Sequence, residues 1–198
     1  ALYGFTTGDD NVAIGAYSGD AITTGDYNIA MGQYALSTVN TGGSNIGIGR
    51  LAGSNNTSAN SNMYIGYAAG YANQTGTNNT IVGNYSLAQT TGVVNFSNVT
   101  TLGWEAGYYA TGSTNTFIGS EAGKGNSSAP YSSGEANIAM GYQALKVFTT
   151  GYRNNIIGYR AGYSVTTGFN NQYFGYQAGY YNTTCLLYTS PSPRDRLK

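Results

Sequence analysis

Histidine is absent from this chain, and cysteine occurs once, at Cys185. One cysteine cannot build a disulfide framework, and without histidine there is little material for a nucleophilic or metal-dependent active site. Charge is scarce and balanced, with eight Lys and Arg against eight Asp and Glu, so no basic patch argues for nucleic acid. No apolar run approaches the ~20 residues that span a bilayer as a helix, and no signal peptide opens the chain. Proline appears three times, and only Pro130 precedes residue 185. Helices are excluded by what is abundant: thirty glycines are spread evenly, and each costs roughly 1 kcal/mol relative to alanine in a helix interior.

The abundant residues are organised. The segment "NIAMGQYAL" (Asn28 to Leu36) returns at Asn137 to Leu145 as "NIAMGYQAL". Anchored on its glycine, the chain yields Gly15, Gly32, Gly49, Gly66, Gly83, Gly103, Gly119, Gly141, Gly158 and Gly175, at spacings of 17, 17, 17, 17, 20, 16, 22, 17 and 17 residues. The opening "ALYGFTTGDDN" fits the same frame, so about ten and a half copies fill residues 1–184.

Several positions are restricted relative to the anchor. The residue before it is always apolar: Ile14, Met31, Ile48, Ile65, Val82, Leu102, Ile118, Met140, Ile157 and Phe174. Four before it stands Asn11, Asn28, Asn45, Asn62, Asn79, Asn115, Asn137, Asn154 or Asn171; in the remaining copy the asparagine, Asn98, looks displaced by one. Three after it is alanine or serine, and the next residue is only glycine or leucine. Seven before it glycine recurs, with Ala59 and Phe96 as exceptions.

A short N-x-x-apolar-G run has strand character, and flanking glycines mark tight turns or positive φ. Seventeen residues hold two short strands and two turns, which is one coil of a β-solenoid. Stacked at the roughly 4.8 Å strand spacing, equivalent residues lie above one another, and asparagine side chains can hydrogen-bond from coil to coil. The expectation is an all-β parallel β-roll or β-solenoid of about ten 17-residue coils. In the longer copies, "AQTTGVVNFSNV" and "GKGNSSAPYSSGEA" read as insertions leaving one face of the stack.

The last fourteen residues, "CLLYTSPSPRDRLK" (Cys185 to Lys198), break every one of these restrictions. They are similar to a frame translation of the transposase-end adapter used to prepare sequencing libraries. Residues 185–198 are therefore expected to be a non-native, disordered tail, and 1–184 a fragment of a longer solenoid truncated at both ends. Setting aside Arg194, Arg196, Lys198 and Asp195 leaves five basic and seven acidic residues, a net charge of −2.

Candidate chemistry is thin. Among the acids, Glu105 and Glu121 share a repeat position two after their anchors, in successive coils. Stacked, they could raise one pKa or share a cation; the plainer expectation is two solvated surface acids. Calcium-binding G-G-x-G-x-D nonapeptides are absent, and no metal, cofactor or enzymatic activity is expected. Tyrosine is frequent, and many copies fall just after the anchor: Tyr17, Tyr34, Tyr67, Tyr85, Tyr142, Tyr159 and Tyr176, with Trp104 in the same zone. Such a column could stack on sugars or on a protein partner, or the rings could simply ladder along the solenoid. These eight aromatics are the candidate ligand contacts, with the loops at Thr91–Ser97 and Lys124–Glu135. The "TTG" units containing Thr6, Thr23, Thr90, Thr149 and Thr166 invite comparison with ice-binding solenoids, but those resemble flat T-x-T arrays on every coil, whereas these pairs are adjacent and absent from several copies.

Each coil holds about three or four large apolar side chains for its seventeen residues, too few to offset the ordering cost alone. Burial between subunits is the expected remedy. Units such as "NVAIGAYSGDA", "NIAMGQYAL" and "NTFIGSEAG" resemble the head repeats of trimeric autotransporter adhesins (the YadA-like head) over essentially all of 1–184. That resemblance implies a left-handed parallel β-roll, three chains to a head, on a bacterial outer surface, with a host protein or glycan as partner and membrane contact only through regions outside this sequence. Two departures stand out: the family's repeats commonly run nearer 14–15 residues, and its stalk and anchor are not in this sequence. Similar 17-residue arrays resemble bacterial and phage fibre proteins that end in a self-cleaving chaperone domain. The expected function is a cell-surface adhesin head segment; the alternatives are a fibre shaft without a ligand and, remotely, an ice-binding solenoid.

Overall fold

In the computed structural model, residues 7–89, 94–128 and 131–184 are described; the expected tail at 185–198 lies outside them. The fold is an all-β solenoid of about nine turns with no helix among the described residues. Each coil contributes one three-residue strand: β1 (Val12–Ile14), β2 (Ile29–Met31), β3 (Ile46–Ile48), β4 (Met63–Ile65), β5 (Thr80–Val82), β6 (Thr100–Leu102), β7 (Thr116–Ile118), β8 (Ile138–Met140), β9 (Asn155–Ile157) and β10 (Gln172–Phe174). All ten lie parallel in one sheet in chain order. Register follows the anchors even across the longer copies: Val82 pairs with Leu102 and Ile118 with Met140. We number the coils 1 to 10 after these strands.

The middle residue of each strand points inward, from Ala30 through Tyr64, Ile81 and Phe117 to Tyr173, and its two neighbours point outward, as the pleat requires. The second strand expected in each coil is reduced to two isolated bridges, Asn73 with Val94 and Ala110 with Ser132. Elsewhere that side is held by main-chain bonds between turns, such as Gly19 N–H to Ala35 O at 2.9 Å and Gly53 N–H to Ala69 O at 2.9 Å.

The reason is a set of left-handed corners. Every non-glycine residue with positive φ among those described stands five before an anchor, two after it, or four after it. The position two after carries Tyr17, Leu51, Glu105, Gln143 and Arg160, all with φ between 51° and 63°. Side chains with a branched β-carbon fit that region poorly. Of the twenty residues in the first two columns, only Thr114 has one. The anchor itself is more demanding. Gly66 has φ +129, and a Cβ there would stand 2.7 Å from the backbone of Gly83 in the next coil. No side chain fits both conditions.

The asparagine ladder forms as expected through most of the chain. Asn28 donates its N–H (2.8 Å) and its Nδ2 (3.0 Å) to Asn11 Oδ1, and Nδ2 also reaches Gly42 O at 2.9 Å. Asn45, Asn62 and Asn79 repeat the pattern, as do Asn137, Asn154 and Asn171 above Asn115. In coil 6 the expectation fails. Asn98 is not a displaced rung; it is an exposed corner residue with φ 58. The rung position is taken by Val99, buried, whose N–H still reaches Asn79 Oδ1 at 2.9 Å but which offers no acceptor to the coil above. Placing the same valine in the intact part of the ladder is therefore a sharp test. Asn45→Val is expected to cost about 2 kcal/mol, because the Asn62 N–H and the Ala59 carbonyl lose buried partners. An unchanged urea midpoint would mean that the ladder is incidental to stability.

The core is one continuous column of buried residues running through every turn. Part of each insertion belongs to it: Val94 and Phe96 are buried, and Ser132 is buried with its hydroxyl donating to Phe148 O at 2.5 Å. The segments that leave the stack are thus shorter than expected.

Candidate functional site: the outward columns

Three outward surfaces follow from this register. The first is the sheet's outer face. It presents the residues three before and one before each anchor, from Val12 and Ile14 to Gln172 and Phe174, and none of these twenty side chains is charged. Ile14, Leu102 and Phe174 are each more than half exposed.

The second surface holds the aromatics, which split into two adjoining columns. Tyr17, Tyr34 and Tyr85 occupy the left-handed position two after the anchor; Tyr67, Trp104, Tyr142, Tyr159 and Tyr176 come one after it. Within a column the rings stack on one another. Tyr17 and Tyr34 lie 4.9 Å apart at 5°, Tyr142 and Tyr159 5.4 Å apart, and Tyr159 and Tyr176 5.2 Å apart at 6°. Where the columns meet, Tyr67 and Tyr85 pack edge to face at 4.9 Å. Ring faces are thus largely occupied by neighbouring rings, and edges are what solvent sees. A further stack, Tyr163 on Tyr180 at 4.9 Å, lies five after the anchor and was not singled out from sequence.

The third is an ion network on coils 6 to 9. Glu105 and Glu121 do share a cation: Lys124 Nζ stands 2.5 Å from Glu105 Oε2 and 2.7 Å from Glu121 Oε1. Lys146 Nζ adds a contact to Glu121 Oε2 at 3.0 Å, and Gln143 Nε2 donates to the same oxygen at 2.5 Å. Arg160 Nε then donates to Gln143 Oε1 at 2.8 Å, its guanidinium 5.4 Å from the centre of the Tyr159 ring. The expectation of solvated acids is corrected for Glu121, which is 7% exposed. Burial alone would push its carboxyl up, but hydrogen bonds from Lys124, Gln143 and Lys146 outweigh it and bring the pKa from 4.5 down to about 2. Lys124 is held above its ordinary value, because Glu105 and Glu121 overcome the effect of its burial.

Other candidates divide. The first threonine of the "TTG" units turns its hydroxyl to the next coil, Thr149 Oγ1 to Thr166 O at 3.1 Å and Thr166 Oγ1 to Thr183 O at 3.2 Å. Those hydroxyls are engaged within the stack. Thr6 and Thr90 lie outside the described residues, as do positions 91–93 and 129–130 of the two candidate loops. Among the described residues no group of three or more His, Cys, Asp or Glu side chains could hold a metal ion, and no helix is long and apolar enough to cross a membrane. No family model matches the chain, and no curated protein or solved structure matches it either.

Proposed function

We propose that this chain is a segment of an elongated homotrimeric surface fibre, an adhesin head, in which copies meet through the outer face of the sheet. The observation that carries the reading is that face. Ten strands at roughly 4.8 Å make a strip about 45 Å long, uncharged throughout and apolar at every residue before an anchor. A strip of that size left in water marks an interaction surface. The likeness of the repeats to trimeric autotransporter adhesin heads supports the same assembly and a place outside a bacterial cell or on a phage fibre. In this reading the ring columns border the interface, and their exposed edges touch a host matrix protein or glycan. A second reading, a shaft without a ligand of its own, draws support from the stacking of Tyr142, Tyr159 and Tyr176, whose faces are spent on each other.

Sedimentation of the full chain at micromolar concentration tests the assembly, with three times the monomer mass expected. Ile48→Asp with Ile65→Asp should give a monomer with unchanged circular dichroism, because each side chain already meets solvent in the isolated solenoid. A wild-type monomer would sink the proposal. Binding to immobilised host matrix separates the two readings: Tyr142→Ser, Tyr159→Ser and Tyr176→Ser together should abolish it for an adhesin, whereas a shaft has no binding to lose.

A further inference from the structure

Coil 8 reaches its strand late, and the returning segment runs beside coil 9. Gly134 N–H bonds Thr149 O at 3.1 Å and Arg153 N–H bonds Glu135 O at 3.0 Å, so the backbones carrying these side chains are fixed to each other. Between them lies an open cleft of about 350 Å³, lined by Ser133, Glu135, Thr150, Tyr152 and Arg153. Tyr152 forms a stiff wall, because its ring stacks on Phe169 at 4.9 Å and 4°. Arg153 Cζ stands 5.8 Å from the Tyr152 ring centre.

What marks this place is charge of both signs, outside the ion pairs, on one cleft. Lys124, Lys146, Glu105 and Glu121 are consumed in their own network. Glu135 and Arg153 are exposed, and neither enters an ion pair among the described residues. In a chain with so few charges, a free carboxylate and a free guanidinium flank one cleft beside two hydroxyls and an aromatic wall.

That combination selects a ligand class. A metal ion would find a single carboxylate there, and a phosphate would face Glu135. A purely apolar ligand would leave both charges in place without partners. A sugar ring suits all the groups: its C–H edge packs on an aromatic side chain, adjacent hydroxyls donate to a carboxylate, and a guanidinium and side-chain hydroxyls serve the remaining oxygens. The volume is at the small end for ligand sites, enough for one ring. The geometry points to a subsite for a single pyranose unit of a glycan, with Tyr152 as its wall and Glu135 and Arg153 as its polar contacts. This rests on the adhesive reading for its setting, and it moves the ligand from the self-stacked ring columns to coils 8 and 9.

A ligand of about twelve heavy atoms held at one exposed subsite binds with a Kd of roughly millimolar. Saturation-transfer NMR on the full chain suits that range, with methyl β-D-glucopyranoside, methyl β-D-galactopyranoside and sodium D-glucuronate as probes at about 10 mM. Transfer to the ring protons of at least one sugar is expected, falling about tenfold or more in Tyr152→Ala and in Glu135→Gln. Both variants change exposed side chains, and a thermal melt on each confirms that the fold is kept. No transfer from any of the three sugars overturns the inference, and so does transfer that both variants leave intact. Sedimentation of the same samples keeps the claims apart: trimers without sugar transfer defeat the cleft alone, and sugar-binding monomers defeat the assembly alone.

Discussion

Gly70→Leu is expected to destabilise the solenoid by about 3 kcal/mol or more and Tyr64→Ala by about 3–5 kcal/mol, yet the two together should cost far less than their sum. The core alternates in volume between two columns, the middle of each strand and the residue four after the anchor. Where the strand centre is aromatic, the turn residues above and below it are glycine: Gly53 and Gly70 flank Tyr64, Gly107 and Gly123 flank Phe117, and Gly162 and Gly179 flank Tyr173. A Cβ at Gly70 would overlap Cδ1 and Cε1 of the Tyr64 ring. Where the strand centre is small, leucine fills the same turn, as Leu36 does beside Ala30 and Gly47 and Leu145 beside Ala139. Those leucines hold φ of 46° and 52°, so the backbone accepts leucine at this corner and the ring alone rejects it at position 70.

Combining Tyr64→Ala with Gly70→Leu would set an alanine and a leucine beside Ile81 of the next coil, the arrangement that Ala139 and Leu145 of coil 8 already make with Ile156 of coil 9. A coupling of about 3 kcal/mol in the double-mutant cycle is therefore expected from urea melts at one fixed protein concentration. Additive costs would show that the two columns do not share volume. One term stays on the debit side in the double variant. The buried Tyr64 hydroxyl accepts from Asn73 Nδ2 at 2.7 Å, and its removal takes away that partner. The same device recurs at Tyr173, where Asn182 Nδ2 donates to the hydroxyl at 3.0 Å. Burial pushes the Tyr64 phenol well above its ordinary pKa, so it stays neutral and hydrogen-bonded in the core.

Most of this architecture was legible because a solenoid repeats its instructions. The period, the parallel stacking, the asparagine rungs and the anchor glycines all follow from columns of identical residues. Other features lacked such a column. Which residues of a strand face inward depends on phase, and runs such as Ile29-Ala30-Met31 or Asn155-Ile156-Ile157 are too short and too apolar to declare it. The left-handed corners were missed because tyrosine, glutamine, arginine and serine occupy them; only the near-absence of branched β-carbons could have revealed them. Asn98 was misplaced for a related reason, since asparagine serves both as a rung and as a left-handed corner. The aromatic zone was found, but its division into two self-stacking columns needed the corner geometry. The pairing of Glu105 with Glu121 around a cation was raised from the sequence, but the cations themselves, Lys124 and Lys146, five after their anchors, were not identified. Lys124 lies three residues from Glu121, but nothing in the sequence distance shows that the turn also brings Lys124 to Glu105 and Lys146 to Glu121.

Glu121→Ala should cost about 2–3 kcal/mol, a large effect for a position with no apolar burial to lose. The carboxylate holds Lys124 at 2.7 Å, Lys146 at 3.0 Å and Gln143 at 2.5 Å, and its removal leaves two partly buried ammonium groups with one remaining acid, Glu105. Losing one member of a desolvated ion group costs more than the group contributes as a whole, because the survivors stay buried without compensation. The location adds to the effect. Coil 6 lacks its asparagine rung, and the Glu105, Lys124, Glu121 and Lys146 chain ties coils 6, 7 and 8 together where the ladder is interrupted. The acid limb identifies the cause. The folded pKa of Glu121 lies below its ordinary value, so its contribution is fully present above about pH 4.5 and is lost as pH falls toward about 2. Lys124, shifted upward, keeps its contribution until the pH rises past its ordinary range. Glu121→Gln preserves the shape and removes the charge, so the stability gap between wild type and this variant should be about 3 kcal/mol at most at pH 5 and close to zero at pH 2. A gap of equal size at both pH values would locate the stabilisation in the shape of the side chain, and the ion network would then have no part in holding the interrupted coil.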